Sequence, residues 1–307
     1  MRKLFFHLFA LLAIATTAAS DGNGAEMPLY GHDGVPGNLP NIEAKETVAN
    51  KDYDVRFHIS QPTIAVFKPT APNAARCAII VIPGGSYASN WYGYQGTWVA
   101  RKLAEAGITA FALKYRIPRD DFESNKMIAP LQDAQRAIQL VREHAADYGI
   151  DPHKIGVMGF SAGGHLASAV TVHYDTAFIA NPLGTSLRPD FAVLNYPVIT
   201  SQKGLAEETS LTNLIGSDRR ADRAKFFSSE LHVTADTPPV FLTHASDDSL
   251  VPVENSILFY KAMLAHNRPA EMHIYAKGEH GYLNGTPSFD EWLGRLYGWL
   301  RLLNFLN

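Results

Sequence analysis

Residues 154–172 read KIGVMGFSAGGHLASAVTV, and no other stretch constrains the fold as tightly. Ile155–Phe160 is apolar apart from its glycines, which predicts a strand buried on both faces. It runs with no linker into a helix pattern over Ser161–Val172. A buried strand that turns at once into a helix belongs to a parallel sheet with crossover helices. The join carries Gly159-Phe160-Ser161-Ala162-Gly163, a Gly-x-Ser-x-Gly pattern. In so tight a turn Ser161 must take an unfavourable backbone angle, and side chains at 159 and 163 would clash with the neighbouring strand and helix. The letters alone leave two readings: a nucleophile on a strained turn, or a small residue in a glycine-rich loop.

The rest of the chain repeats the alternation. Strands are predicted over Thr63–Phe67, Ala78–Ile82, Ala110–Tyr115, Ile155–Phe160, Phe191–Tyr196, Val240–His244 and Glu271–Tyr275. Helices are predicted over Gly96–Ala106, Pro130–Tyr148, Ser161–Val172, Val253–Ala265 and Asp290–Leu303. In the second of these, Leu131, Ala134, Ile138, Val141 and Ala145 recur at helical spacing, with Pro130 in the first turn. The fold class is therefore α/β, a mostly parallel central sheet with helices on both faces. Residues 200–236 break the rhythm and read as an insertion after a strand. No repeat or internal linker appears, which predicts one catalytic domain over 55–307. Residues 26–54, rich in Gly, Pro and Asn, read as an extended arm lying on it.

Residues 1–25 read as an export signal. Arg2 and Lys3 precede the apolar run Leu4–Ala15, and small residues follow to Ser20. Cleavage is expected after Ser20 or after Ala25. The apolar run falls short of the roughly 20 residues a membrane span needs, so no membrane anchor is expected. A secreted or periplasmic protein follows. Cys77, the only cysteine, leaves no second cysteine for an intrachain disulfide and is expected to be a buried, inert thiol. The net charge of -3, with no basic run, argues against nucleic acid as a partner.

A serine hydroxyl is a weak nucleophile and needs a base, which in turn needs an orienting acid. His280 stands in KGEHGYLNG just after the last predicted strand. The acid lies in FLTHASDDSLVP, just after the strand before it, and is either Asp247 or Asp248. Asp248 is favoured because Val251 and Pro252 follow it at the expected offset; Asp247 would miss the proline. All three positions fall beyond carboxyl ends of strands, where open parallel sheets build their sites. Donors for an oxyanion are expected from IIVIPGGSY, through the N–H groups of Gly85 and Ser86, joined by Ala162 after the nucleophile. Among the aromatic residues that follow, Tyr87, Trp91 and Tyr94 are candidates for a substrate pocket, and packing in the core is the competing reading. No H-E-x-x-H pattern or His/Cys cluster points to a metal, and no cofactor is implied.

The motifs IPGGSY, ALKYRIP, PLQDAQRAIQLVR, IGVMGFSAGGHLAS, LNYPVI, THASDDSLVPVENS and YAKGEHGY together resemble the α/β-hydrolase superfamily. Within it they are similar to secreted esterases found beside xylanases and related to hormone-sensitive-lipase-like esterases. The resemblance covers roughly residues 55–305. It implies a serine carboxylic ester hydrolase acting on short acyl esters, acetyl first, of sugars such as those of acetylxylan. Small-molecule or oligosaccharide esters are the implied partners. One departure is Ser86, where the pattern has a third glycine; its N–H is kept. A peptidase of the same fold, a general short-chain carboxylesterase and a non-catalytic carbohydrate-binding protein remain as alternatives.

Overall fold

The structure, a computed structural model, describes residues 24–31, 34–40, 42, 46–50, 52–70, 75–218, 220–282 and 285–307. All but the last two residues of the expected export signal, 1–25, lie outside them. Strands β1 (Glu26–Pro28), β2 (Thr47–Ala49), β3 (Val55–Phe57), β4 (Thr63–Phe67), β5 (Ala78–Ile82), β6 (Asn90–Trp91), β7 (Thr109–Lys114), β8 (Ile155–Phe160), β9 (Phe191–Asn195), β10 (Val240–Ala245) and β11 (Ala270–Tyr275) form two sheets. The larger has the order β1-β4-β7-β5-β8-β9-β10-β11. It is parallel from β7 to β11, and β4 and β1 join antiparallel at one edge.

Among the described residues seven α-helices accompany it: α1 (Trp98–Glu105), α2 (Ala129–Glu143), α3 (Ala162–Val172), α4 (Glu208–Ile215), α5 (Ala221–Phe226), α6 (Glu254–Ala265) and α7 (Phe289–Leu302). The two-residue alternation of a strand explains the layers. Along β5, Ile80 and Ile82 enter a core with Leu131, Ile138, Leu166 and Phe259 of α2, α3 and α6. Ile79 and Val81 enter the opposite core with Val99, Leu103, Trp292 and Leu296 of α1 and α7. Both faces are covered, which is why β5 is apolar at every position and β7 to β10 are buried along their whole length. None of the helices among the described residues is long and apolar enough to cross a membrane.

The departures from expectation have local causes. The helix expected from Gly96 begins at Trp98, behind a wide π-type turn over Tyr92–Thr97. In that turn a Cβ on Gly93 would lie 2.4 Å from the Tyr53 carbonyl oxygen, so the close packing of the arm shapes it. Helix α2 stops at Glu143 rather than Tyr148, and the chain turns through residues 144–149. The arm contributes strands of its own. β1 extends the main sheet, and β2 pairs with β3, which pairs with β6. Ion pairs hold it down: Lys114 Nζ lies 2.9 Å from Glu26 and 2.7 Å from Glu46, and Arg56 reaches Glu46 at 2.7 Å.

A buried ion pair ties the arm to the sheet and to α2. Arg116, fully buried, donates to both oxygens of Asp133 and to the carbonyls of Pro36 and Ala129. Asp133→Ala would leave that guanidinium charged and without its carboxylate. The expected loss of stability is about 3–5 kcal/mol. Chemical denaturation measures it; an unchanged midpoint would show that the loss is absorbed elsewhere.

Candidate active site

Ser161 sits between β8 and α3 at φ 53° and ψ -120°, a strained conformation for a side-chain-bearing residue. Its N–H donates to Asn195 O at 3.1 Å, and its carbonyl accepts from the N–H groups of His165 and Val198. The flanking glycines answer a packing need. A Cβ on Gly159 would lie 2.2 Å from Gly163 O, and one on Gly163 would lie 2.2 Å from Ile82 O. Only a bare backbone lets α3 start so close beneath β5.

His280 follows β11 in a short 3-10 turn over His280–Tyr282. Its Nε2 lies 2.9 Å from Ser161 Oγ, and its Nδ1 lies 2.8 Å from Asp248 Oδ2. Asp248, in the loop after β10, accepts at Oδ1 from the N–H groups of Leu250 (2.9 Å) and Val251 (2.8 Å). Burial alone would push its carboxyl up. The hydrogen bonds from His244 and His280, with the Val251 N–H, outweigh that and hold it well below the usual carboxylate range. Asp247 is engaged elsewhere: it accepts from the Glu279 N–H at 3.0 Å and faces Lys277 Nζ at 3.5 Å. Of the two neighbouring aspartates, Asp248 is the one bonded to the imidazole.

The loop after β5 passes directly over the serine. A Cβ on Gly84 would come within 3.0 Å of Ser161 Cβ and 2.7 Å of Phe160 O. The Gly84 N–H is already used, donating to Gln95 Oε1 at 2.8 Å. Gly85, Ser86 and Tyr87 then take φ values of 130°, 52° and 54°. This tight coil is closed by the Ala88 and Ser89 N–H groups on Gly85 O. Among the described residues, the N–H groups of Gly85, Ser86 and Ala162 meet no protein acceptor. Asn213 of α4 donates to Ser86 O at 2.8 Å, so the insertion braces this loop.

Tyr87, expected in the substrate pocket, is instead a core residue only 1% exposed. Consecutive positive φ values turn its ring inward, where its hydroxyl meets His165 Nδ1 at 2.8 Å. His165 Nε2 lies 2.8 Å from Phe227 O, an acceptor, so that nitrogen carries the proton and Nδ1 accepts from the Tyr87 hydroxyl. Burial pulls the His165 imidazole down to about 4, so it is neutral near pH 7. Tyr87→Phe would leave a buried nitrogen unpaired. A loss of about 1–3 kcal/mol is expected in denaturant titrations, and a neutral result would dismiss the bond.

Trp91 and Tyr94 stay at the surface rim. Tyr53 of the arm packs against both, at ring-centroid distances of 5.8 and 5.6 Å. Tyr94 stacks on Trp98 at 5.5 Å, and Trp98 meets Phe289 at 4.4 Å. A cavity of about 100 Å³ opens between Tyr94, Gln95, Trp98, Tyr196, Phe289 and Trp292; Trp91 does not line it. The Tyr196 ring stands edge-on to His280 at 5.0 Å. Gln95, Tyr196, Asn213 and His244 were not singled out in the sequence. Tyr196 lies within the motif LNYPVI and His244 within THASDDSLVPVENS, whereas Gln95 and Asn213 carry no local signal. Cys77 is fully buried, and its thiol is pushed up to about 12 by burial.

The sequence pattern of the BD-FAE family matches residues 64–263. Among curated proteins, endo-1,4-beta-xylanase B of Butyrivibrio fibrisolvens is 34% identical over 227 residues, 72% of this chain and 35% of that protein. An acetylxylan esterase of Xylanibacter ruminicola is 32% identical over 241 residues, 76% of this chain and 47% of that protein. The chain thus spans less than half the length of these two relatives. Among solved structures, the acetyl ester-xyloside bifunctional hydrolase from Caldicellulosiruptor lactoaceticus superposes with a TM-score of 0.75 at 36% identity, over 93% of this chain and 98% of that one. Propionate-bound Est2, a thermophilic esterase of Thermogutta terrifontis, gives 0.66 at 27% identity, over 89% and 96%.

Proposed function

The chain belongs to the BD-FAE family, and from that premise we propose that it is an exported serine esterase removing short acyl groups, acetyl first, from xylan-type polysaccharides or their oligosaccharides. The observation that carries the chemistry is the unbroken hydrogen-bond chain Ser161–His280–Asp248 beside three uncommitted backbone N–H groups. The acetylxylan esterase relative and the acetyl ester-xyloside hydrolase neighbour support the substrate class. Arg2, Lys3 and the apolar run after them support export.

In this reading Ser161 Oγ attacks the ester carbonyl carbon while His280 Nε2 takes the hydroxyl proton. The carbonyl oxygen becomes an oxyanion facing the N–H groups of Gly85, Ser86 and Ala162. The last is also the first N–H of α3, where the helix end favours negative charge. Losing one such donor typically costs about 3 kcal/mol of barrier. Collapse of the tetrahedral intermediate breaks the ester C–O bond, and His280 returns the proton to the departing sugar oxygen. A water molecule then repeats the sequence on the acyl-Ser161 ester, releasing the free acid and restoring the serine. Asp248 keeps Nδ1 protonated and the imidazolium stabilised throughout.

The cavity lined by Tyr196, whose ring stands edge-on to His280, sets an expectation for size. With about 100 Å³ between Trp98, Tyr196 and Phe289, it suits a short acyl chain. On p-nitrophenyl esters, kcat/KM should peak at acetyl or propionyl and fall toward octanoyl, with acetate released from acetylated xylan. Trp98→Ala should move the peak to longer chains by roughly 10-fold in relative kcat/KM, the scale of one or two methylenes in an apolar pocket. Rates that climb steadily to octanoyl, with no acetate from the polysaccharide, would leave a general lipolytic carboxylesterase instead.

A further inference from the structure

His244 lies on β10, fully buried, and takes no part in the chain from Ser161 to Asp248. Its Nδ1 is 2.8 Å from Ser256 Oγ of α6. Its Nε2 is 3.0 Å from Val251 O and 3.2 Å from Asp248 Oδ2. Both neighbours of Nε2 are acceptors, so that nitrogen carries a proton. Nδ1 is then free to accept from the Ser256 hydroxyl, which fixes the tautomer. We infer that His244 is a positioning residue: it supplies a second imidazole N–H to Asp248 and so governs how strongly the carboxylate holds His280.

The carboxylate's inventory supports this role. Oδ1 accepts two backbone N–H groups, from Leu250 and Val251. Oδ2 faces two imidazoles, His280 at 2.8 Å and His244 at 3.2 Å. Three hydrogen-bond donors, with the His244 N–H beside Oδ2 as a further and longer contact, crowd the roughly four acceptor positions of a carboxylate. Asp248 therefore has no freedom to rotate, and Oδ2 divides its negative charge between two N–H groups. The His244 N–H donates first to Val251 O at 3.0 Å and lies 3.2 Å from Oδ2, so His280 keeps the stronger share. Among the described residues bonded to or in contact with His244, Asp248 is titratable, and His280 is the second titratable group on its Oδ2. Ser256 on α6, Val251 in the loop and Ile274, its register partner on β11, carry no charge.

Removing the His244 N–H has a definite sign. Negative charge on Oδ2 then concentrates toward His280 and favours its protonated form. Turnover needs the neutral imidazole, so the acid limb of kcat/KM should move to higher pH. The role rests on the serine-esterase reading above, and the experiment separates the two.

The experiment compares wild type, His244→Ala, His244→Gln and Ser256→Ala on p-nitrophenyl acetate, with active sites counted by a serine-directed phosphonate. In His244→Ala the acid limb should rise by roughly half to one pH unit. Its kcat per labelled site should fall about 10- to 100-fold, the scale seen when a group orienting a reactive residue is removed. KM should change little. His244→Gln can present an amide N–H to Oδ2 and should recover part of both losses. Ser256→Ala keeps the Nε2 proton but loosens the ring, so it should shift the limb in the same direction by less. It also keeps the question open to test if His244→Ala fails to fold. A merely structural histidine would lower the melting temperature and the labelled fraction while leaving the acid limb and the rate per site unchanged; that result would overturn the inference. A wild-type protein that hydrolyses no ester would instead overturn the esterase reading on which it rests.

Discussion

Ser161→Ala should lower ester turnover by roughly five to six orders of magnitude, the loss seen when a triad nucleophile is removed. The size of the effect follows from the chemistry. Without Oγ there is no acyl-enzyme, and His280 Nε2 loses the group 2.9 Å away whose proton it would take. The backbone donors of Gly85, Ser86 and Ala162 remain, so a small rate above the uncatalysed reaction should persist. Folding should be unaffected or slightly improved. Ser161 holds its strained φ through backbone bonds to Asn195, His165 and Val198, which an alanine keeps. The checks are p-nitrophenyl acetate turnover, the melting temperature, and mass spectrometry of a phosphonate adduct, which should appear on Ser161 in wild type and vanish in the variant. Wild-type turnover in a folded Ser161→Ala protein would rule out the mechanism.

The strand before Ser161 was legible because local rules and global fold agree there. Buried parallel strands are apolar at every position, and β8 has the bounds the sequence gives it. The fold class followed from the same alternation, and the mostly parallel sheet with helices on both faces has it. Helix ends were less legible. α2 stops short of the residues whose periodicity continues, because the chain turns down toward β8 at Gly149. Tyr87 sits in the core rather than the expected pocket for a backbone reason: three successive positive φ values abolish the alternation by which neighbouring side chains are assigned to faces. Gln95 and Asn213 could not have been found by pattern. Each touches the loop over Ser161 through a contact that only the folded chain creates.

The choice between the adjacent aspartates, which the letters tilt toward Asp248 through Val251 and Pro252, yields the second large expectation. Asp248→Asn should lower kcat by about 10⁴, the loss typical of an orienting carboxylate replaced by its amide. The geometry gives the reason. The N–H groups of Leu250 and Val251 both point at Oδ1 and require an acceptor there. An asparagine will therefore place its carbonyl oxygen at that position and its NH₂ at the position of Oδ2. That NH₂ faces His280 Nδ1, which must then accept rather than donate. The ring proton moves to Nε2, the nitrogen that should take the proton of Ser161, and the base is disabled with its position unchanged. The same NH₂ meets the Nε2–H of His244, so some loss of stability should accompany the loss of rate. Asp247→Asn has no such consequence. Its carboxylate caps the Glu279 N–H and faces the exposed Lys277, and an amide oxygen can still accept from Glu279. Turnover within about threefold of wild type is expected there, since surface ion pairs contribute little. Rates per labelled active site for the two variants, measured side by side, make the comparison independent of yield. If Asp247→Asn proved the more damaging, the orienting role would pass to Asp247, and the loop after β10 would have to rearrange in the working enzyme.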